Sequence, residues 1–168
     1  KHARALLLLV FAVVFMSSCQ GNGEEGNLQP SCIQQEGSWI CPRDKFFDVA
    51  MVGDEHIWVV GESGVILHSE GEDIQWKPQK SNSDEDLYAA KFVDKDNGWV
   101  VGAAGTILHT SDGGKTWEKQ GEKVDRMLNR VYFTDEKHGW AVGEFGMILK
   151  TIDGGANWTE SKNPEGKN

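Results

Sequence analysis

Tryptophans and glycines at one fixed spacing, with short β-like runs between glycine turns, predict an all-β chain of β-propeller blades. Trp58, Trp99 and Trp140 are 41 residues apart, as are Gly61, Gly102 and Gly143, and as are Trp76, Trp117 and Trp158. A period in the 40s built from turns and strands is the signature of a radially repeated sheet. The pattern is fullest from Gly98 to Trp117, GWVVGAAGTILHTSDGGKTW. It recurs as GWAVGEFGMILKTIDGGANW from Gly139 to Trp158 and, more weakly, as IWVVGESGVILHSEGEDIQW from Ile57 to Trp76. The expected fold is three four-stranded antiparallel repeats of period 41 in a partial or open ring, covering 46–77, 87–119 and 128–160.

Each strand has its own signal. In the middle copy Leu87 to Val93 reads as the first strand, and Leu87, Ala90 and Phe92 recur as Phe46, Val49 and Met51 and as Leu128, Val131 and Phe133. A polar turn at Asp94–Gly98 leads to a second strand, Trp99 to Ala103, and Thr106 to Thr110 reads as the third. The inner runs are apolar on both faces, as sheets packed between sheets require. A fourth strand opens at Thr116-Trp117, which completes one blade. Gly102 and Gly105 flank a two-residue tip and point to positive φ or close backbone approach there. The tips differ between copies: Glu62-Ser63, Ala103-Ala104 and Glu144-Phe145. Variation on a fixed scaffold marks the places where contacts with a protein partner are expected. Phe145, the apolar residue offered on a tip, is the expected anchor. The long connections Lys77–Asp86 and Glu118–Met127 are expected to emerge on the same face.

Propeller rings use about four to eight blades. Three copies fall short, so further blades past Asn168 are expected, with association of chains or a short open form as the other possibilities. Gly37 to Ile40 reads as a lone fourth-type strand carrying Trp39.

The amino terminus reads as a targeting segment. Lys1, His2 and Arg4 precede an apolar run of 12 residues, Ala5 to Met16, and Ser17-Ser18 lead to Cys19. The run is short for a membrane span and suits an export signal over 1–18. The arrangement resembles a bacterial lipoprotein signal, which implies acylation at Cys19 and an exported, membrane-anchored chain. Residues 19–45 then hold a polar, glycine-rich tether, and 161–168 form a tail. Cys32 and Cys41 are expected to pair as a disulfide in an oxidising compartment. A metal site built on them lacks further Cys or clustered His.

Composition excludes some partners. The formal charge is −9, with 17 basic and 26 acidic residues, and only Arg4, Arg43, Arg126 and Arg130 are arginines. No basic footprint for nucleic acid is present. Asp94–Gly98 hints at a calcium loop but lacks the distal acidic ligand, so a hairpin turn is expected. His68 and His109 hold one third-strand position, but Lys150 replaces the third copy, so no metal and no cofactor is expected.

Thr110-x-Asp112-x-Gly114-x-Thr116-Trp117 matches the Asp-box pattern, and Thr151-x-Asp153-x-Gly155-x-Asn157-Trp158 matches with Asn in the Thr place. The first copy keeps only Ser69 and Trp76. The physics is local: the carboxylate takes turn amides, glycine permits the reversal and the Trp covers the hairpin. With Gly-Trp-x-Val-Gly-x-x-Gly-x-Ile-Leu ahead of each intact box, the chain resembles the family of the photosystem II stability and assembly factor, over Phe46 to Glu160. That resemblance implies a seven-bladed propeller type that acts as a non-enzymatic, protein-binding scaffold. The arginine-rich surface of the photosynthetic members is absent here. Other Asp-box propellers are sialidases, which need three substrate arginines and a Tyr nucleophile; only Tyr88 and Tyr132 exist, both on first strands. Glycosidases need two separated carboxylates, for which Glu62 and Glu144 would have to serve. Glycan binding is the alternative to protein binding.

Overall fold

The computed structural model describes residues 33–35, 38–40, 45–121 and 125–161. The export signal, Cys19, Cys32 and Cys41 lie outside the described residues. Among the described residues fourteen strands are formed, and twelve of them make three four-stranded antiparallel sheets in simple meander order. Blade I contains β3 (Phe46–Val52), β4 (His56–Gly61), β5 (Ile66–Glu70) and β6 (Lys77–Gln79). Blade II contains β7 (Leu87–Phe92), β8 (Gly98–Gly102), β9 (Ile107–Thr110) and β10 (Glu118–Lys119). Blade III contains β11 (Leu128–Phe133), β12 (Gly139–Gly143), β13 (Ile148–Thr151) and β14 (Thr159–Glu160). Ahead of them, β1 (Ile33–Gln35) pairs with β2 (Ser38–Ile40) in a two-stranded hairpin. The strand read as lone from Gly37–Ile40 therefore has a partner, because an isolated strand leaves its backbone groups without hydrogen bonds.

Two cores form, one per junction. Between blades I and II, Trp58, Val60 and Ile66 meet Leu87, Ala90, Phe92, Val100 and Trp117. Between II and III, Trp99, Val101 and Ile107 meet Leu128, Val131, Phe133, Ala141 and Leu149. The repeat explains the match, since most residues of one core lie one period from a counterpart in the other. Phe92 stacks on Trp58 and Phe133 on Trp99, both with ring centroids 3.6 Å apart. Blades I and III each keep one open face among the described residues. Blade I exposes Phe46, Val49 and Met51 there, and blade III exposes Tyr132, Val142 and Ile148.

The segments that match the Asp-box pattern close the turn from third to fourth strand. Asp112 Oδ1 accepts from the Thr116 backbone N–H at 2.9 Å and the Thr110 hydroxyl at 2.8 Å, and Oδ2 accepts from the Thr116 hydroxyl at 2.7 Å. Thr110 Oγ1 in turn accepts the Gly114 N–H at 2.8 Å. Blade III repeats this with Thr151, Asp153, Gly155 and Asn157. Trp117 is buried and meets Phe92 edge-on, and Trp158 meets Phe133 likewise.

These turns also join neighbouring blades. The Gly113 carbonyl accepts from Gln79 Nε2 at 2.7 Å and from Trp58 Nε1 at 3.4 Å. The Gly154 carbonyl accepts from Gln120 Nε2 at 3.0 Å and Trp99 Nε1 at 2.9 Å. A Cβ on Gly114 or Gly155 would lie 1.9 Å from the glutamine Oε1 of the preceding blade, so any larger residue would push the end of that side chain aside. Trp117 Nε1 donates to Gln79 Oε1 at 3.2 Å. At the next junction the equivalent Trp158 Nε1 and Gln120 Oε1 are buried without partners.

Candidate functional face

Each second strand ends in a glycine whose absent side chain lets another backbone approach. A Cβ on Gly61, Gly102 or Gly143 would lie 2.1, 2.0 and 2.0 Å from the carbonyl oxygens of Lys45, Asp86 and Met127. Those carbonyls accept the N–H groups of Glu62, Ala103 and Glu144 at 2.9, 2.8 and 3.0 Å. Each tip is thereby pinned to the chain entering its own blade. The long connections reach the tip face through Asp86 and Met127, the residues on which the second and third tips rest.

Each tip is a single tight turn. Gly61, Gly102 and Gly143 donate to the carbonyls of Val65, Thr106 and Met147, all at 3.0 Å. The turn places a non-glycine residue in the left-handed region each time: Ser63 at φ 53°, Ala104 at φ 49° and Phe145 at φ 54°. Such backbone is costly for a residue bearing a Cβ, and the surrounding hydrogen bonds must hold it. Phe145 is 85% exposed, the most of any large apolar side chain described. The turn thus holds a large apolar group in water.

The rest of the face is acidic and aromatic. Glu62 pairs with Lys45 at 3.2 Å. Glu144 Oε2 accepts the Met127 N–H at 3.3 Å, and Asp86 Oδ1 accepts the Ser63 N–H at 2.9 Å across the blade I–II junction. A bulge in the first strand of each blade falls at Phe47, Tyr88 and Asn129, where the pairing register skips one residue. Phe47 and Tyr88 consequently meet at 5.3 Å between ring centroids. Burial, followed by the charges of Asp86, Glu144 and Glu85, pushes the Tyr88 hydroxyl up from its ordinary value. The pairing of Phe47 with Tyr88 beside the tips escapes the sequence reading; their spacing of 41 was the available signal.

The remaining candidates sit elsewhere. Asp94 Oδ1 accepts the N–H groups of Asp96 and Asn97 at 2.8 and 2.7 Å, and Asp135 repeats the arrangement with Lys137 and His138. These carboxylates close hairpin turns. His68 and His109 each stack on the tryptophan of their own blade, at 4.5 and 4.9 Å. The nearest imidazole to His68 is His56, with Nδ1 of His56 3.4 Å from its Nε2. Burial holds both His68 and His109 below the ordinary histidine value. Among the described residues no group of three or more His, Cys, Asp and Glu could hold a metal ion.

Comparisons with known proteins agree with this architecture. No curated protein matches the sequence. A solved structure of "YCF48 bound to D1 peptide" matches with a TM-score of 0.63 at 22% identity, over 80% of this chain and 43% of that one. YCF48 from Cyanidioschyzon merolae matches with a TM-score of 0.59 at 23% identity, over 70% of this chain and 39% of that one. The chain thus spans less than half the length of these structures. YCF48 is a photosystem II assembly factor, so the fold expected from the resemblance to that family is borne out. The model of the DUF6242 beta propeller domain matches residues 47–167, and the chain belongs to that family.

Proposed function

We propose that the chain is a non-enzymatic, protein-binding scaffold that uses its tip face and is exported and held at a membrane through acylated Cys19. The observation that carries this reading is Phe145, exposed on a turn whose backbone is fixed by three hydrogen bonds. The likeness to a structure described as bound to a peptide supports it. A scaffold of packed sheets presents such a residue with little entropy to lose on binding. The carboxylates that a glycosidase would need are committed to structure: Glu62 to Lys45, Glu144 to the Met127 N–H, and Asp112 and Asp153 to their own turns.

The test is photo-crosslinking in intact cells, with a benzophenone amino acid at position 145 and, as control, at exposed position 136 in the β11–β12 turn of blade III. Discrete protein adducts at 145 and none at 136 are expected. No adduct at 145, together with glycan-array binding that Phe145→Ala abolishes, would replace protein by carbohydrate as the ligand. Loss of labelled fatty acid in Cys19→Ser checks the anchor.

A further inference from the structure

We propose that the groove between blades I and II, at the end of the sheets away from the tips, binds a ligand carrying two or more phosphate groups. The groove has a volume of about 490 Å³, the size of a small-molecule site. It joins the start of β4 and the end of β5, at His56, His68 and Glu70, to the blade II turns at 95–96 and 112–115. The tip of blade I follows the other end of β4. Both walls belong to complete four-stranded sheets.

Lysines gather in this groove although the chain carries a net charge of −9. Lys77 and Lys80 line it from blade I, and Lys95 and Lys115 from blade II. Lys95 donates to both oxygens of Asp96, at 3.0 and 2.9 Å. Lys77, Lys80 and Lys115 have no ion-pair partner among the described residues. The remaining acids of the groove are engaged elsewhere. Asp112 spends both oxygens on Thr110 and Thr116, and Glu70 lies 4.0 Å from His56. His56 and His68 lie parallel in the same wall, with ring centroids 5.6 Å apart, and each neutral imidazole brings one N–H donor.

The junction of blades II and III shows that the fold does not require these lysines. Strands β6 and β10 pair in one register, Lys77 with His68 and Glu118 with His109. The turns after Asp94 and Asp135 share their aspartate bonds, and those after Asp112 and Asp153 share a left-handed glycine pair. On this common backbone Glu118, Glu136 and Ala156 stand where Lys77, Lys95 and Lys115 stand in the groove. The residues that join the blades do recur, Gln79 as Gln120 and Gly113 as Gly154. The cations therefore belong to the site and not to the blade. No arginine lines the groove, and lysine is a compact charge without the planar fork that matches a carboxylate, which favours phosphate. Three unpaired lysines exceed the charge of one phosphate group, about −1.5 to −2, so two or more such groups fit.

The test titrates the full chain, purified in detergent, with inorganic tripolyphosphate in a calorimeter. One site per chain is expected. The triple variant K77A/K80A/K115A should raise the dissociation constant about tenfold or more, with the melting temperature of the ligand-free chain unchanged. The control K119A/K137A/K150A removes the same charge outside the groove and should change binding less than about twofold. Doping the micelles with phosphatidylglycerol identifies the source of the phosphate. Displacement of tripolyphosphate assigns a lipid headgroup and no displacement a soluble ligand, and either result keeps the site. No binding at about 1 mM, or equal losses in the two triple variants, would overturn the proposal. So would hexaglutamate binding as tightly as tripolyphosphate, which would make the ligand an acidic peptide. Photo-crosslinking at position 145 tests the tip-face reading separately, since the groove lies at the other end of the sheets.

Discussion

Asp112→Ala tests how the third-to-fourth turn is held. The substitution removes three accepted hydrogen bonds, two from Thr116 and one from the Thr110 hydroxyl. Thr116 is exposed, so water replaces its two bonds at little cost. Thr110 is 1% exposed, and its hydroxyl is left as a buried donor without an acceptor. An orphaned buried group of this kind costs about 1–3 kcal/mol, so a loss of about 2 kcal/mol is expected. For a domain of this size that is a fall of ~8 °C in melting temperature, at about 4 °C per kcal/mol. Asp112→Asn keeps an oxygen toward Thr110 and should lose less than half as much. Thermal unfolding followed by tryptophan fluorescence reports both variants. A change of less than about 0.5 kcal/mol for Asp112→Ala would mean that the carboxylate does not hold the turn.

The other predictions concern the junctions, the tips and pH. Trp99→Phe should cost about 1 kcal/mol more than Trp58→Phe in chemical denaturation, since Trp99 donates at 2.9 Å and Trp58 only at 3.4 Å. Equal losses would remove the indole bond from the account. Gly102→Ala should destabilise by about 1–3 kcal/mol, because its Cβ meets the Asp86 carbonyl oxygen and not because of its φ of −165°; a neutral melting curve would contradict the close approach. Acid should act in two stages. Burial lowers His68 and His109 from 6.5, so the stability they confer as neutral rings is complete above about pH 6.5 and is lost as pH falls below it. Burial raises the carboxyls of Asp112 and Asp94, but their hydrogen bonds outweigh it and leave both below 3.8; side-chain and backbone bonds from Asn157 lower Asp153 as well. Their contribution is present above about pH 4 and lost as pH falls through the folded values. A melting temperature flat from pH 7 to pH 3 would refute this assignment.

The strand order and the three tips were legible because the period of 41 fixes both. The tip conformation was not, since Glu-Ser, Ala-Ala and Glu-Phe carry no glycine at the residue that turns left-handed. The glycines on either side supply instead the close approach and the exit from the turn. The joining of blades was equally hidden. Trp58 reaches Gly113 across 55 residues and Gln79 reaches it across 34, beyond any local pattern. Gln79 and Gln120 do stand one period apart, but a polar residue after a short outer strand looks like surface until the neighbouring carbonyl is in place. Phe47 and Tyr88 were obscured by the bulge, which aims two residues of an inner strand differently from their neighbours.

The central claim is that a rigid ladder of sheets offers Phe145 to a protein. Phe145→Ala isolates that claim, because Ala104 already holds the same turn position at φ 49°, so alanine leaves the tip backbone intact. Binding affinity for the crosslinked protein and melting temperature should be measured on the same sample. The account predicts a tenfold or greater loss of affinity, about 1.4 kcal/mol or more, with an unchanged melting temperature. Unchanged affinity, or a parallel fall in both, would contradict it.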